Sequence, residues 1–208
     1  SYPNKPITIV VGYPPGGSTD LVGRLVATEL SDRLKQPVVI ENLGGAGGAI
    51  GAQKVAKATA DGYTLLVSAN NEMAIAPLIN KAVKYDVFKD FSPIGLVATQ
   101  PMVLVASHST GVKNANDFIQ LVAAHPGKYS YGSSGIGTAL HLAGEMVKQS
   151  GSLDMIHVPY KGVAPLTNDL VGNNLEFGVF VLSSGLPHIK AGKVVALGTT
   201  EAKRSSVT

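Results

Sequence analysis

Two short runs in the sequence combine glycine with hydroxyl side chains: Gly16-Gly17-Ser18-Thr19-Asp20 and Gly132-Ser133-Ser134-Gly135-Ile136-Gly137-Thr138. Glycine lets backbone N–H groups approach a ligand closely, and serine and threonine add hydroxyl donors. Neither run holds a lysine or arginine, so the chemistry they suit is reception of an anion by neutral donors. A helix starting directly after each run adds unpaired first-turn N–H groups and the positive end of the helix dipole. Each terminus contributes about 0.3–1 kcal/mol, up to ~2 kcal/mol when partly buried. Hydrogen bonds to a charged group contribute about 1.5–3 kcal/mol each, so several donors outweigh the dipole. Two such loops suit a ligand with a negative group at each end. Taken singly, the first run also reads as an ordinary strand-to-helix turn capped by Ser18 or Thr19. Asp20 fits beside an anion only if it serves the dipole or bonds backbone N–H groups.

Other chemistries fail on spacing. "GGAGGAIGA" (Gly44–Ala52) has no G-x-G-x-x-G register, and no G-x-x-x-x-G-K-[ST] occurs. The serine-hydrolase elbow G-x-S-x-G is missed at its fifth place in both "GGSTD" and "GSSGI". The five histidines, at 108, 125, 141, 157 and 188, form no H-E-x-x-H. His141 and Glu145 lie one turn apart, a spacing for a hydrogen bond and not, without a third ligand, for a metal. His157 and His188 read as structural or exposed. No nucleophile, base and orienting group assemble, so no catalytic residue and no cofactor is assigned. "VPYKG" (Val158–Gly162) places Tyr160 and Lys161 just after a strand, where a ligand would lie, although a turn with a solvated lysine explains them equally. Asn70 and Asn71, after another strand, are amide candidates of the same kind.

The elements that must position these groups follow from periodicity. Strands are expected at Ile7–Val11, Pro37–Asn42, within Asp61–Asn70 and within "LEFGVFVL" and "VVALGTT". Apolar residues at 21, 22, 25, 26, 30 and 34 form a helical stripe. "SPIGLVATQPMVLVAS" (Ser92–Ser107) holds two apolar runs broken at Gln100-Pro101, a crossing between two lobes. Asn114 or Asn116 caps a helix through Ala124, and Gly172 and Gly192 each stop a short one. Alternating strands and helices predict parallel α/β sheets with ligands at the carboxyl ends of the strands.

With 208 residues, 45% of them apolar and 15% charged, the chain is globular and can bury a core. Seventeen basic and 14 acidic residues are scattered without a basic cluster, which argues against nucleic acid as a partner. Cysteine is absent, so thiolate metal sites and disulfides are excluded. No apolar run reaches the roughly 18 residues that span a bilayer. The start "SYPNKPITIVV" enters a strand almost at once, as a mature chain does after a leader is removed.

The segments "YPNKPITIVVGYPPGGSTDLVGRL", "QPVVIENLGGAGGAIGA", "DGYTLL", "PGKYSYGSSGIGTALHLAGE", "HVPYKG" and "LPHIKAGKVVALGTT", in this order from Tyr2 to about Thr200, resemble the tripartite tricarboxylate transporter substrate-binding proteins, the Bug family. The resemblance implies a periplasmic binding protein of the type II-like fold, with two α/β lobes around a ligand cleft. Lobe 1 would be residues 1–99, lobe 2 residues 100–199, and 200–208 the start of a crossover back to lobe 1. It also implies that a C-terminal part of lobe 1 is missing, leaving apolar surface exposed.

Carried over residue by residue, the lobe-1 loop is Tyr13, Pro14, Gly16, Gly17, Ser18, Thr19 and Asp20, with Pro14 and Pro15 shaping a water-bridged carboxylate site. The lobe-2 loop is Ser133, Ser134, Gly135, Gly137 and Thr138, with His141 at its edge. Asn70 and Tyr160 join the ligand-binding set from the reading above. Phe180 stands where many members have an aspartate, which favours a plain or aromatic carboxylate over an amino-bearing one. The expected function is a monomeric, non-catalytic receptor in the periplasm. It captures a small mono- or dicarboxylate without metal or cofactor and delivers it to membrane permease subunits, itself entering neither membrane nor nucleic-acid complexes. A receptor that signals to a partner fits the same residues. The alternative from another class is an α/β enzyme, a hydrolase or nucleotide-using transferase, with phosphate or an oxyanion in the glycine loops.

Overall fold

The computed structural model describes residues 2–203 and 205. The chain divides into two units, one running through Ala98 and one beginning at Thr99. In the first, β1 (Ile7–Val11) lies between β2 (Val38–Asn42) and β3 (Thr64–Val67), and both pairings are parallel. β1 is a nearly unbroken apolar run because both its faces are covered. Ile9 and Val11 pack with Tyr13 and with Ala27 of α1 (Ser18–Leu34). Leu66 of β3 packs with Ala49 and Ala52 of α2 (Ala49–Ala56) and with Ala76 and Tyr85.

α1 differs from its expected stripe. Asp20, Gly23 and Ala27 are buried, whereas Leu21 and Leu25 are exposed. A Cβ on Gly23 would lie 2.9 Å from Val11 Cγ2, so the helix meets the sheet along its smallest residues and turns the leucines outward. Its N-cap is Gly17, and no side chain caps this end; Ser18 and Thr19 are the first helical residues.

Beyond β3 come a wide turn at Asn71–Ile75 and the short α3 (Ala76–Ile79). No strand or helix follows until Met102. The first of the two expected apolar runs is therefore not an element, and Ile94, Leu96 and Val97 stand in solvent with Leu78 and Phe88. Apolar residues without a neighbouring strand or helix to pack on cannot hold an extended element by composition alone.

The second unit is a five-stranded sheet in the order β6-β5-β7-β4-β8, built from β4 (Met102–Ala106), β5 (Ser130–Ser133), β6 (Ile156–Pro159), β7 (Phe177–Val181) and β8 (Val195–Thr199). β5 pairs in parallel with β6 and β7, but β4 is antiparallel to both β7 and β8. The expectation of wholly parallel sheets is corrected here, because an apolar run reads the same in either direction. α4 (Ala115–Ala123) is capped by Asn114, whose side chain accepts the Asp117 N–H. α5 (Ala139–Gly151) follows β5, α6 (Val163–Val171) follows β6, and α7 (Leu182–Lys190) follows β7. The core of this unit includes Phe118, Tyr131, Leu166, Leu170, Phe177 and Phe180. Of the segment expected to begin a crossover, Thr200 is still bonded to Met102; residues 204 and 206–208 lie outside the described residues. Among the described residues no helix is long and apolar enough to cross a membrane.

Candidate carboxylate site

The parallel strands of the first unit bring three chain segments together at their carboxyl ends: Tyr13 after β1, Asn42 at the end of β2, and Asn71 with Glu72 after β3. Tyr13 turns inward. Its hydroxyl lies 2.7 Å from Glu72 Oε2 and 3.0 Å from the Gly47 carbonyl, and it accepts Asn71 Nδ2–H at 2.7 Å. Glu72 is fully buried, and its Oε1 accepts the Ala69 N–H at 2.9 Å. Burial pushes the Glu72 carboxyl up to about 7, against hydrogen bonds from Tyr13 and Ala69 that pull it down. Burial, then the Glu72 charge, raises the Tyr13 phenol well above its ordinary range.

This contact depends on close backbone approach. A Cβ on Gly48, whose φ is +92°, would meet Glu72 Oε2 at 2.6 Å and Tyr13 Oη at 2.8 Å. Gly12 in turn lies against Gly48, and Gly51 against Gly12, each with room for hydrogen only. The glycines of "GGAGGAIGA" thus pack strand, turn and helix together.

In the loop itself, Pro14 is half-buried, Pro15 and Gly16 are exposed, and Gly17 is buried. Asp20 resolves its own awkwardness: the carboxylate accepts the Gly16 N–H, Arg24 Nε–H and Asn42 Nδ2–H, each at 2.9 Å. Burial raises its pKa, but these bonds outweigh it and hold the carboxyl below its ordinary range. Asn42 also donates to the Tyr13 carbonyl at 3.0 Å, which fixes the start of the loop. The Gly16 donor is therefore already used, and Ser18 and Thr19 open the first turn of α1, where N–H groups precede any intrahelical acceptor, with half-buried side chains. Asn70 is exposed at the end of β3's connection.

The second unit repeats the strand–loop–helix junction between β5 and α5. Thr138 is the N-cap; its hydroxyl accepts the His141 N–H at 3.3 Å and donates to the Gly135 carbonyl at 2.8 Å. Gly135 N–H reaches Ser133 Oγ at 3.2 Å, and Gly137 N–H donates to His141 Nδ1 at 3.0 Å. Ser133 and Thr138 are fully buried, so their hydroxyls shape the loop from within. Ser134, also buried, is the first residue after β5.

Ser133 Oγ lies 2.7 Å from His157 Nε2, a spacing a nucleophile and its base could have. Its full burial and its bond from Gly135 argue against an attacking role. His141 Nε2 is 3.9 Å from Glu145 Oε1, too far for the hydrogen bond that the one-turn spacing suggested. Glu145 is taken instead by Tyr131 Oη–H at 2.6 Å and by Lys148. Those hydrogen bonds hold its carboxyl below the ordinary range despite some burial. Among the described residues no group of three metal-ligating side chains occurs.

Tyr160 follows β6, and its hydroxyl donates to Asp169 at 2.6 Å; Lys161 is exposed. Phe180 is fully buried in the sheet core, in reach of Gly185. Sequence reasoning missed Glu72 and Asn42; His157, read there as structural or exposed, is half-buried and bonded to Ser133. Only the positions of Asn42 at the end of β2 and of Glu72 after β3 signalled these two, and nothing in the residue types did.

A sequence profile described as the tripartite tricarboxylate transporter family receptor matches residues 22–207. A UPF0065 protein of Pseudomonas sp. strain P51 is 35% identical over 204 residues, which is 98% of this chain and 60% of that protein. This chain thus spans less than two thirds of that relative's length. Among solved structures, one described as a periplasmic transporter is 42% identical with a TM-score of 0.95, over 99% of this chain and 69% of its own. A Rhodopseudomonas palustris protein, MatC with bound malate, is 30% identical with a TM-score of 0.90, over 98% and 69%. A further R. palustris protein, solved with adipate, is 34% identical with a TM-score of 0.95, over 98% and 68%.

Proposed function

We propose, starting from the fact that the chain belongs to the tripartite tricarboxylate transporter receptor family, that the protein is a monomeric periplasmic receptor. It captures a small mono- or dicarboxylate and hands it to the permease subunits of such a transporter. The observation that carries this reading is one junction occurring in both units: strand, Gly/Ser/Thr turn, and a first helical turn whose N–H groups precede any intrahelical acceptor. Adipate and malate, bound by two similar proteins, are both dicarboxylates. In the first loop Ser18 and Thr19 receive one carboxylate, with Asp20 and Asn42 holding the loop in place. In the second, Ser134 and the backbone offer neutral donors of the same kind to a carboxylate. Neither loop supplies a cation of its own, so binding rests on neutral donors.

A thermal-shift panel with adipate, malate and related carboxylates on ligand-stripped, full-length protein tests this. A rise in melting temperature with at least one of them is expected, and no shift with any of them refutes the reading. Ser18→Ala and Ser134→Ala are each expected to weaken binding about tenfold, the loss of one hydrogen bond to a charged group.

A further inference from the structure

Two histidines hold the second loop at its two ends. At the start, His157 of β6 meets the Ser133 hydroxyl at 2.7 Å. At the end, His141 Nδ1 accepts the Gly137 N–H at 3.0 Å. The two rings stack, with centroids 3.9 Å apart and planes at 13°, and the Tyr131 ring centroid lies 5.0 Å from that of His157. The titratable and charged groups facing the pair are Tyr131 from β5 and Glu145 and Lys148 from α5. We propose that His141 and His157 are a positioning pair that braces this loop through two acceptor nitrogens, and that they do so in opposite tautomers. This rests on reading the loop as a carboxylate site.

The tautomers follow from the bonds. Gly137 N–H can only donate, so His141 Nδ1 is bare and its proton sits on Nε2. For Ser133, the single hydroxyl proton has two acceptors in reach, His157 Nε2 at 2.7 Å and the Gly135 carbonyl at 3.2 Å. That carbonyl already accepts the Thr138 hydroxyl at 2.8 Å and the Thr138 N–H at 3.3 Å, which fills its two lone pairs. The proton therefore goes to His157, whose own proton sits on Nδ1. Burial, and then the neighbouring His141, pushes His157 down to about 4, so the ring is neutral at neutral pH and its Nε2 is free to accept. With its proton committed, Ser133 Oγ keeps its lone pairs for the Gly135 N–H, and the turn that presents Ser134 is set.

The test combines nitrogen-15 NMR of the imidazoles with adipate and malate binding to full-length protein. At neutral pH His157 is expected as the Nδ1–H tautomer and His141 as the Nε2–H tautomer. His157→Ala is expected to bind about tenfold more weakly. His157→Gln, whose amide oxygen can accept the Ser133 proton, is expected to stay within about twofold of the parent. Ser133→Ala combined with His157→Ala is expected to be no weaker than the worse single variant. Like tautomers on both rings, additive losses, or unaltered binding by a folded His157→Ala protein would overturn the brace. If the parent binds neither these two acids nor any other carboxylate of the panel, the carboxylate reading fails instead, and the tautomers still decide the brace.

Discussion

Replacing Glu72 with glutamine should remove a pH dependence of stability that the parent protein carries. With its proton on Oε2, Glu72 donates to Tyr13 Oη, Tyr13 then donates to the Gly47 carbonyl, and Oε1 still accepts the Ala69 N–H. Every polar atom in this buried cluster is then satisfied, whereas ionisation strands a charge that, among the described residues, has no ion pair. The folded-state pKa of about 7 stands above the ordinary 4.5, so the folded form holds the proton more tightly. The sign follows: this stability is fully present below pH 4.5 and is lost as the pH rises through about 7. At 1.36 kcal/mol per unit, the loss between pH 4.5 and 8 is about 3 kcal/mol. Glutamine keeps the bonds of the protonated form and cannot ionise. Denaturant unfolding of both proteins from pH 4.5 to 8 should therefore show Glu72→Gln gaining on the parent by about 3 kcal/mol across the range. Subtracting the two curves cancels other titrations, such as that of His157, whose lowered pKa makes stability rise with pH in the acid range. Parallel curves would refute the reasoning.

Asp20→Ala should cost about 1–3 kcal/mol in denaturant unfolding at neutral pH, since it leaves Gly16, Arg24 and Asn42 without their shared acceptor. The Asp20 contribution is full above its ordinary pKa of 3.8 and is lost as the pH falls through its lowered folded value, so the penalty should shrink in strong acid. Gly144→Ala should cost about 1–3 kcal/mol by overpacking, because its Cβ would fall on the Tyr131 ring; an unchanged midpoint would show that the ring can move aside.

The parts of the fold that were legible in the sequence were those set by local chemistry. The apolar run Ile7–Val11 bounds β1, Asn114 caps α4, and Gly172 ends α6. The direction of β4 and the inward face of α1 were not, because each is decided by what the element packs against. Leu21 and Leu25 satisfy a helical period, yet the close fit of Gly23 on Val11 sets the rotation. The two loops were visible as glycine and hydroxyl clusters, but not which donors remain available. Gly16 is occupied by Asp20, which is local, whereas Ser133 is occupied by His157 from the next strand, which no spacing rule connects. Glu72 was invisible because a lone glutamate in "NNEMAI" looks solvated until Gly48 lets it be enclosed.

The antiparallel insertion of β4 also fixes an order of events during synthesis. Its partners are β7, beginning at Phe177, and β8, ending at Thr199, so Met102–Ala106 leaves the ribosome long before either neighbour exists. At roughly 5–20 residues per second the wait lasts several seconds, during which an uncharged, β-prone pentapeptide has both hydrogen-bonding edges open. On a nascent chain this strand, more than either glycine loop, is the surface a chaperone would have to shield.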